Sequence, residues 1–306
     1  MKEITVVTGF FNINRENWKS FDRSAELYFD YFTQWAKLKN KIIVYVENKE
    51  LKQKIIDFRE SLGDGYETKV IVINDYKKID EKLYDSIYEV TNNKIQREFR
   101  VLPNNPEVWN CDYNYIMLLK MWCVQDAVKK GYAEGLVAWV DFGYNHGGVG
   151  IDKDSNFDFL WKYDFPDKIN LFTVQAIDDR PIFDIVRSMD TYIMGTVIVG
   201  AHSLWEEFWN LMRNSMLSLN KCGLVDDDQT IILMSYRANP QIFKIHQSNW
   251  HTIIKEFGGD HLKISNNGQE KKNTFIRQIM RKGKKLTINL NYSINVFKTL
   301  QKIDRK

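Results

Sequence analysis

Residues 136–146 read LVAWVDFGYNH: five apolar residues, an aspartate, and a polar continuation rich in glycine through Gly147 and Gly148. A run this short, wholly apolar until Asp141, predicts a buried strand that delivers a carboxylate at its C-terminal end. Runs of the same kind recur at residues 4–8, 42–47, 69–73, 171–175, 196–199 and 242–246. Between them lie stretches with helical apolar spacing. One is 21–38, with Phe21, Ala25, Tyr28, Phe29, Phe32 and Trp35 on one stripe; others are 51–62, 115–130 and 204–219. The near-continuous runs IIVYV (42–46) and KVIVI (69–73) suit strands covered on both faces, as in a parallel sheet between helices. Strands alternating with helices predict an open α/β fold. Such sheets bind ligands beyond the carboxyl ends of their strands. That rule nominates Thr8, Gly9, Phe10, Glu47, Asp75, Asp141 and His246.

Composition narrows the class. The chain has 306 residues, 44% hydrophobic and 27% charged, which is globular and enough for a sizeable core. Aromatics reach 14%, with nine Trp, and serve either an ordinary core or a ring-lined pocket. Cys111, Cys123 and Cys222 form no C-x-x-C pair, which argues against a disulfide framework or a thiolate zinc site. The opening residues carry no apolar core with a cleavage site, and no stretch offers the ~20 apolar residues of a membrane helix. The expected location is cytoplasmic. Residues 271–306 hold eleven Lys or Arg against one acid, so the first 270 carry −7 of the total of +3. A basic tail of this kind serves as a contact for anionic lipid or nucleic acid, or is simply a solvated end; the acidic body and the lack of a nucleic-acid module make nucleic acid the weakest of these.

Several constellations bear on chemistry. Asp141 and His146, at i and i+5, offer groups for a divalent metal or a diphosphate; the plainer reading is a turn in which Gly143, Gly147 and Gly148 supply positive φ. The triplet DFG at 141–143 is not a kinase signature, since neither the glycine-rich loop nor an H-R-D segment accompanies it. Asp226, Asp227 and Asp228 open an apolar helical run, and a helix cap accounts for one or two of them. That leaves Asp227 and Asp228 as candidates for a base or sugar-holding group. His246 and His251 suit either a metal site or a structural role. Thr8, Gly9 and Phe10 leave room for a flat base, and Arg15 suits phosphate or ribose oxygens. No G-x-G-x-x-G or P-loop follows the first strand, which excludes a nicotinamide, flavin or Walker-type site. Lys120 interrupts the apolar face of YIMLLKMWCVQDAV (115–128) and either snorkels to solvent or faces a phosphate.

Taken together, TVVTGFFNINRENW (5–18), KMWCVQDAV (120–128), WVDFGYNHG (139–147) and GLVDDDQTII (223–232) resemble the bacterial HtrL/YibB family, also called WlaTC/HtrL, across roughly residues 4–250. The resemblance implies a GT-A-like, Rossmann-type open mixed sheet flanked by helices, and a glycosyltransferase-like role in surface polysaccharide or lipooligosaccharide synthesis. It implies that Asp141 matches the first aspartate of a D-x-D metal motif, with Gly143 standing in place of the second. Asp228-Gln229 resembles an acceptor-side D-Q pair, and Thr8, Gly9 and Phe10 occupy the nucleobase position.

The expected protein is therefore a transferase using a nucleotide sugar, UDP-linked, with a glycan or lipid-linked acceptor; the alternative is a non-catalytic binding protein of the same fold. Residues 1–145 are expected to form the nucleotide-binding half, 146–262 the acceptor half and 263–306 a basic helical tail lying against an anionic membrane. Catalytic roles fall to Asp227 and Asp228. Donor contacts fall to Thr8, Gly9, Phe10, Arg15, Lys120, Asp141 and Gly143. Any Mn²⁺ or Mg²⁺ would be held by Asp141 with His246. No nucleic acid partner is expected.

Overall fold

Each expected apolar run forms a strand in the computed structural model, which describes residues 1–265 together with Gly283, Leu286, Leu290, Ser293 and Ile294. The strands are β1 (Lys2–Phe10), β2 (Ile42–Val46), β3 (Thr68–Val72), β4 (Leu136–Val140), β5 (Lys162–Tyr163), β6 (Ile169–Thr173), β7 (Ile193–Ala201) and β8 (Phe243–Gln247). They lie in one sheet in the order β3-β2-β1-β4-β7-β6-β8, with β5 paired antiparallel to β1 at its start. From β3 to β4 the pairing is parallel; β7 runs antiparallel to both neighbours, and β8 is parallel to β6. The sheet is therefore open and mixed.

The helices are α1 (Ala25–Trp35), α2 (Lys49–Glu60), α3 (Glu81–Thr91), α4 (Lys94–Phe99), α5 (Pro106–Trp109), α6 (Cys111–Lys129), α7 (Ile182–Ser188), α8 (Trp205–Lys221), α9 (Asp228–Ala238) and α10 (Ile253–Glu256). They cover both faces of the sheet, and strand parity shows how. In β4, Val137 and Trp139 enter one core with Leu118, Leu119, Trp205 and Ile231, while Leu136, Ala138 and Val140 enter the other with Phe32, Trp35 and Phe172. Successive side chains point to opposite faces, so an apolar strand buried on both sides needs no alternation. The same parity sends Asp141 to the side of Trp139, where α6 lies.

The expected stripe on the first helix begins too early. Ser24 caps α1 by accepting from the Leu27 amide, and Phe21 lies outside the helix at φ 64°, 47% exposed. At the start of the expected tail, Ile264 bridges to Ile151, and the Ser265 amide donates to the Gly150 carbonyl. Most of 263–306, with its basic residues and expected membrane contact, lies outside the described residues. The five described positions between 283 and 294 are helical. Among the described residues no helix is long and apolar enough to cross a membrane.

Candidate active site

Asp141 follows directly on β4, and its amide still donates to the Thr196 carbonyl of β7, so the ladder fixes the residue one step past the strand. Its Oδ1 accepts from the Trp139 indole at 2.7 Å and pairs with Lys120 Nζ at 3.0 Å. Lys120 comes from α6, a helix started by Asn110, whose side chain accepts from the Tyr113 amide. The same ammonium lies 2.8 Å from Asp228 Oδ2 and 3.3 Å from the Gly195 carbonyl. Lys120 is only 5% exposed, far from the snorkelling alternative. Burial alone would depress its pKa, but the Asp141 and Asp228 carboxylates outweigh that and raise it above the usual lysine range. One cation thus serves two carboxylates, and burial together with Asp228 pushes the Asp141 carboxyl upward against the pull of Lys120.

These groups form one wall of a cavity of about 330 Å³. Aromatic rings (Phe10, Tyr113, Trp139, Phe142, Trp250) line it, and so do Arg15, Arg23, His146 and His251. Arg15 Nη1 donates to the Tyr28 hydroxyl at 2.5 Å, and Arg23 Nη1 lies 3.1 Å from His146 Nε2. Arginine has only donors, so Nε2 accepts and the His146 proton sits on Nδ1. The loop that presents His146 is held in an unusual shape. Asn145 and His146 both have positive φ (64° and 45°), and the buried Asn145 side chain accepts from the amides of Gly150 and Ile151 while donating to the Ile151 carbonyl. Phe142 stacks on Phe32 with centroids 4.4 Å apart, which ties the same loop to α1. Left-handed non-glycine residues persist only where surrounding contacts enforce them.

Burial, with Arg23 close by, lowers the His146 pKa to about 3 and that of His251 to about 4. Both rings stay neutral in the folded protein at pH values where the unfolded chain, titrating near ~6.5, takes up protons. Stability is therefore complete above about pH 6.5 and is lost as the pH falls toward about 4. At pH 5 the loss is expected to be about 1–2 kcal/mol per histidine. The profile of melting temperature against pH checks this: a wild-type curve no steeper than that of His146→Gln/His251→Gln would rule it out.

The expected site residues divide. Gly9, Phe10, Arg15, Lys120, Asp141, Gly143 and Asp228 all line the cavity. Thr8 does not; it is buried, its hydroxyl has no hydrogen-bond partner among the described residues, and Gly9 and Phe10 line the cavity at the end of β1. Asp227 does not either. It caps α9, accepting from the Gln229 amide, while Asp226 pairs with the buried Arg100 at 3.0 Å. Only Asp228 of the three acids reaches the cavity, because the helix begins with it and turns it inward. The Asp227 carboxyl is pushed well up by burial and then by Asp226 and Asp228. Glu47 accepts from the Asn12 amide and Asp75 caps a short 3₁₀ turn, both away from the cavity lining.

His246 is a further correction. It lies on β8, with β7 and β6 between that strand and β4, which puts the two strands about 14 Å apart. Its Nε2 is 2.9 Å from Asn170 Oδ1, and its ring packs against Phe165, Phe172 and Phe257. It does not reach Asp141. His251, by contrast, does line the cavity.

The family model described as "Bacterial protein of unknown function (HtrL_YibB)" matches residues 2–259. The chain belongs to the HtrL/YibB family. Protein HtrL of Escherichia coli (strain K12) is 31% identical to it over 278 residues, covering 83% of this chain and 92% of that protein. Among solved structures, mouse xyloside xylosyltransferase 1 in its apo form aligns over 80% of this chain and 85% of its own, at 11% identity and a TM-score of 0.39. The PaToxG glycosyltransferase aligns over 78% and 70%, at 10% identity and a TM-score of 0.40. The open mixed sheet flanked by helices is the α/β arrangement expected from the sequence.

In this HtrL/YibB chain the residues around Asp141 do not fit the divalent metal of a D-x-D motif. Gly143 offers no side-chain ligand atom, and a Cβ built there would meet two Tyr28 ring atoms at 2.9 Å. Lys120 already stands between the two carboxylates. Among the described residues no three His, Cys, Asp or Glu side chains converge as a metal set. Sequence reasoning missed Arg23, Tyr28, Gly195 and Trp139 as site residues. Gly195 matters because a Cβ there would fall 1.9 Å from Asp228 Oδ2, so only glycine lets that carboxylate reach Lys120. The parity of Trp139 with Asp141 was the one usable signal.

Proposed function

We propose that this chain is a glycosyltransferase that moves a sugar from a nucleotide donor, UDP-linked on our reading, to a glycan or lipid-linked acceptor. One observation carries the reading: a ring-lined cavity at the ends of β1 and β4 is lined by two carboxylates sharing Lys120 and by two guanidinium groups. The rings suit a nucleobase and the sugar's apolar face, the cations suit a diphosphate, and the carboxylates suit hydroxyl groups.

In transfer, the bond between the anomeric carbon and the donor phosphate oxygen breaks, and its electron pair leaves with the nucleoside diphosphate. The acceptor oxygen bonds to that carbon and gives its proton to a carboxylate. Asp141 is the more exposed of the pair (28% against 3% for Asp228), and we assign it to the acceptor hydroxyl. Asp228, deeper and fixed by Lys120, is assigned to the transferred sugar.

Release of UDP from a panel of UDP-sugars tests this. Asp141→Asn keeps the side chain's shape and removes the base, and turnover is expected to fall by about 10²-fold or more. A donor that raises the melting temperature yet is never turned over, across a broad acceptor panel, would leave only the binding-protein reading.

A further inference from the structure

We propose that the donor's diphosphate is bound without a divalent cation, by Arg15, Arg23 and His146 arranged around Tyr28, while Lys120 fills the position between Asp141 and Asp228. The inference rests on the nucleotide-sugar reading above and deepens it. Its first support is the commitment of Lys120. An ammonium has three protons, and this one has three acceptors: Asp141, Asp228 and the Gly195 carbonyl. A divalent cation entering between the carboxylates would have to expel a buried ammonium and leave it unpaired.

The second support is the occupant of the space beside Gly143. The Tyr28 ring lies where a side chain at position 143 would project, and its hydroxyl is held by Arg15. The Tyr28 ring thus stands beside Gly143, where the D-x-D motif places its second aspartate, and Arg15 reaches that ring's hydroxyl. The third support is charge. Arg15 and Arg23 each stack over the Tyr28 ring at 5.9 Å and both line the cavity, yet neither pairs with a carboxylate among the described residues. Arg15 donates otherwise only to the Phe21 carbonyl, and Arg23 to His146. Two guanidinium groups beside one ring, neither with a carboxylate partner among the described residues, face a cavity suited to an anion. Their forked donors match phosphate oxygens in pairs. His146, held neutral against Arg23, becomes a further donor through a ring flip or proton uptake when an anion arrives.

The test measures binding of UDP, GDP, ADP and dTDP to the full chain by calorimetry, once in EDTA and once in Mn²⁺. We expect at least one of them to bind with a dissociation constant that differs by less than about threefold between the two conditions. Arg23→Gln is expected to weaken that binding by about tenfold or more while the matching nucleoside binds as before. Binding that requires Mn²⁺, or an Arg23→Gln affinity equal to wild type, overturns the metal-free diphosphate site but leaves the nucleotide reading standing. No binding by any of the four, in either condition, overturns both. Gly143→Asp gives an arm independent of the arginines: we expect it to lower the melting temperature with no gain from Mn²⁺, and a Mn²⁺-dependent gain in UDP affinity would overturn the proposal.

Discussion

Lys120→Met is expected to lower the melting temperature by roughly 5–8 °C, on the basis that breaking a buried ion pair from one side costs about 3–5 kcal/mol. Methionine keeps most of the stem's packing on α6, so the loss comes from charge. Asp141 and Asp228 would then face each other in a buried site without a cation. Sugar transfer should vanish with it, since both carboxylates lose the group that fixes them. Adding Asp228→Asn to Lys120→Met removes one of the stranded charges and should recover part of the lost stability. Thermal unfolding of the three proteins checks the prediction. A single variant as stable as wild type would mean that Lys120 does not bridge the carboxylates in solution.

The second large effect comes from a residue with no side chain. In Gly195→Ala the new methyl group would sit 1.9 Å from Asp228 Oδ2 and 2.7 Å from its Cγ, so the carboxylate or the strand must move. Either movement pulls Asp228 from Lys120. A displacement of this size is expected to reduce turnover by about 10²-fold. The accompanying stability loss, in the range of overpacked interiors, is about 1–3 kcal/mol. UDP release and thermal unfolding measured on the same preparation separate the two effects. Wild-type turnover in Gly195→Ala would show that the placement of Asp228 does not govern the reaction.

What the sequence disclosed, and what it withheld, follows from the distance over which each residue makes its contacts. Asp141 was legible because a strand buried on both faces advertises itself as an apolar run, and the residue that ends the run stands out. Lys120 was visible as an interruption of an apolar helix face that suits either solvent or a phosphate, but its carboxylate partners, Asp141 and Asp228, appear only once the chain is folded. The acids at 226–228 illustrate a finer limit. Capping a helix takes one residue of a consecutive three, and a shift of one decides whether Asp227 or Asp228 faces the cavity. His246 was misplaced because strand order along the sheet is a property of the whole chain. A strand-end histidine on β8 resembles one beside β4 until the intervening β7 and β6 are known. Arg23 and Tyr28 gave no signal, since one precedes a helix cap and the other sits within an ordinary aromatic stripe. Their role appears only when α1 is laid beside the loop at 143–148.

The indole of Trp139 donates to the carboxylate at the centre of the site, and a second indole, Trp250, forms part of the same wall. Indole emission responds to nearby charge and to water, so filling this cavity should alter the fluorescence of the unlabelled protein. The chain has nine tryptophans, and replacing Trp139 by Phe would reveal which part of the change arises beside Asp141. The hydrogen bond that orients the carboxylate thereby doubles as an optical reporter of occupancy, readable in real time before any substrate has been named.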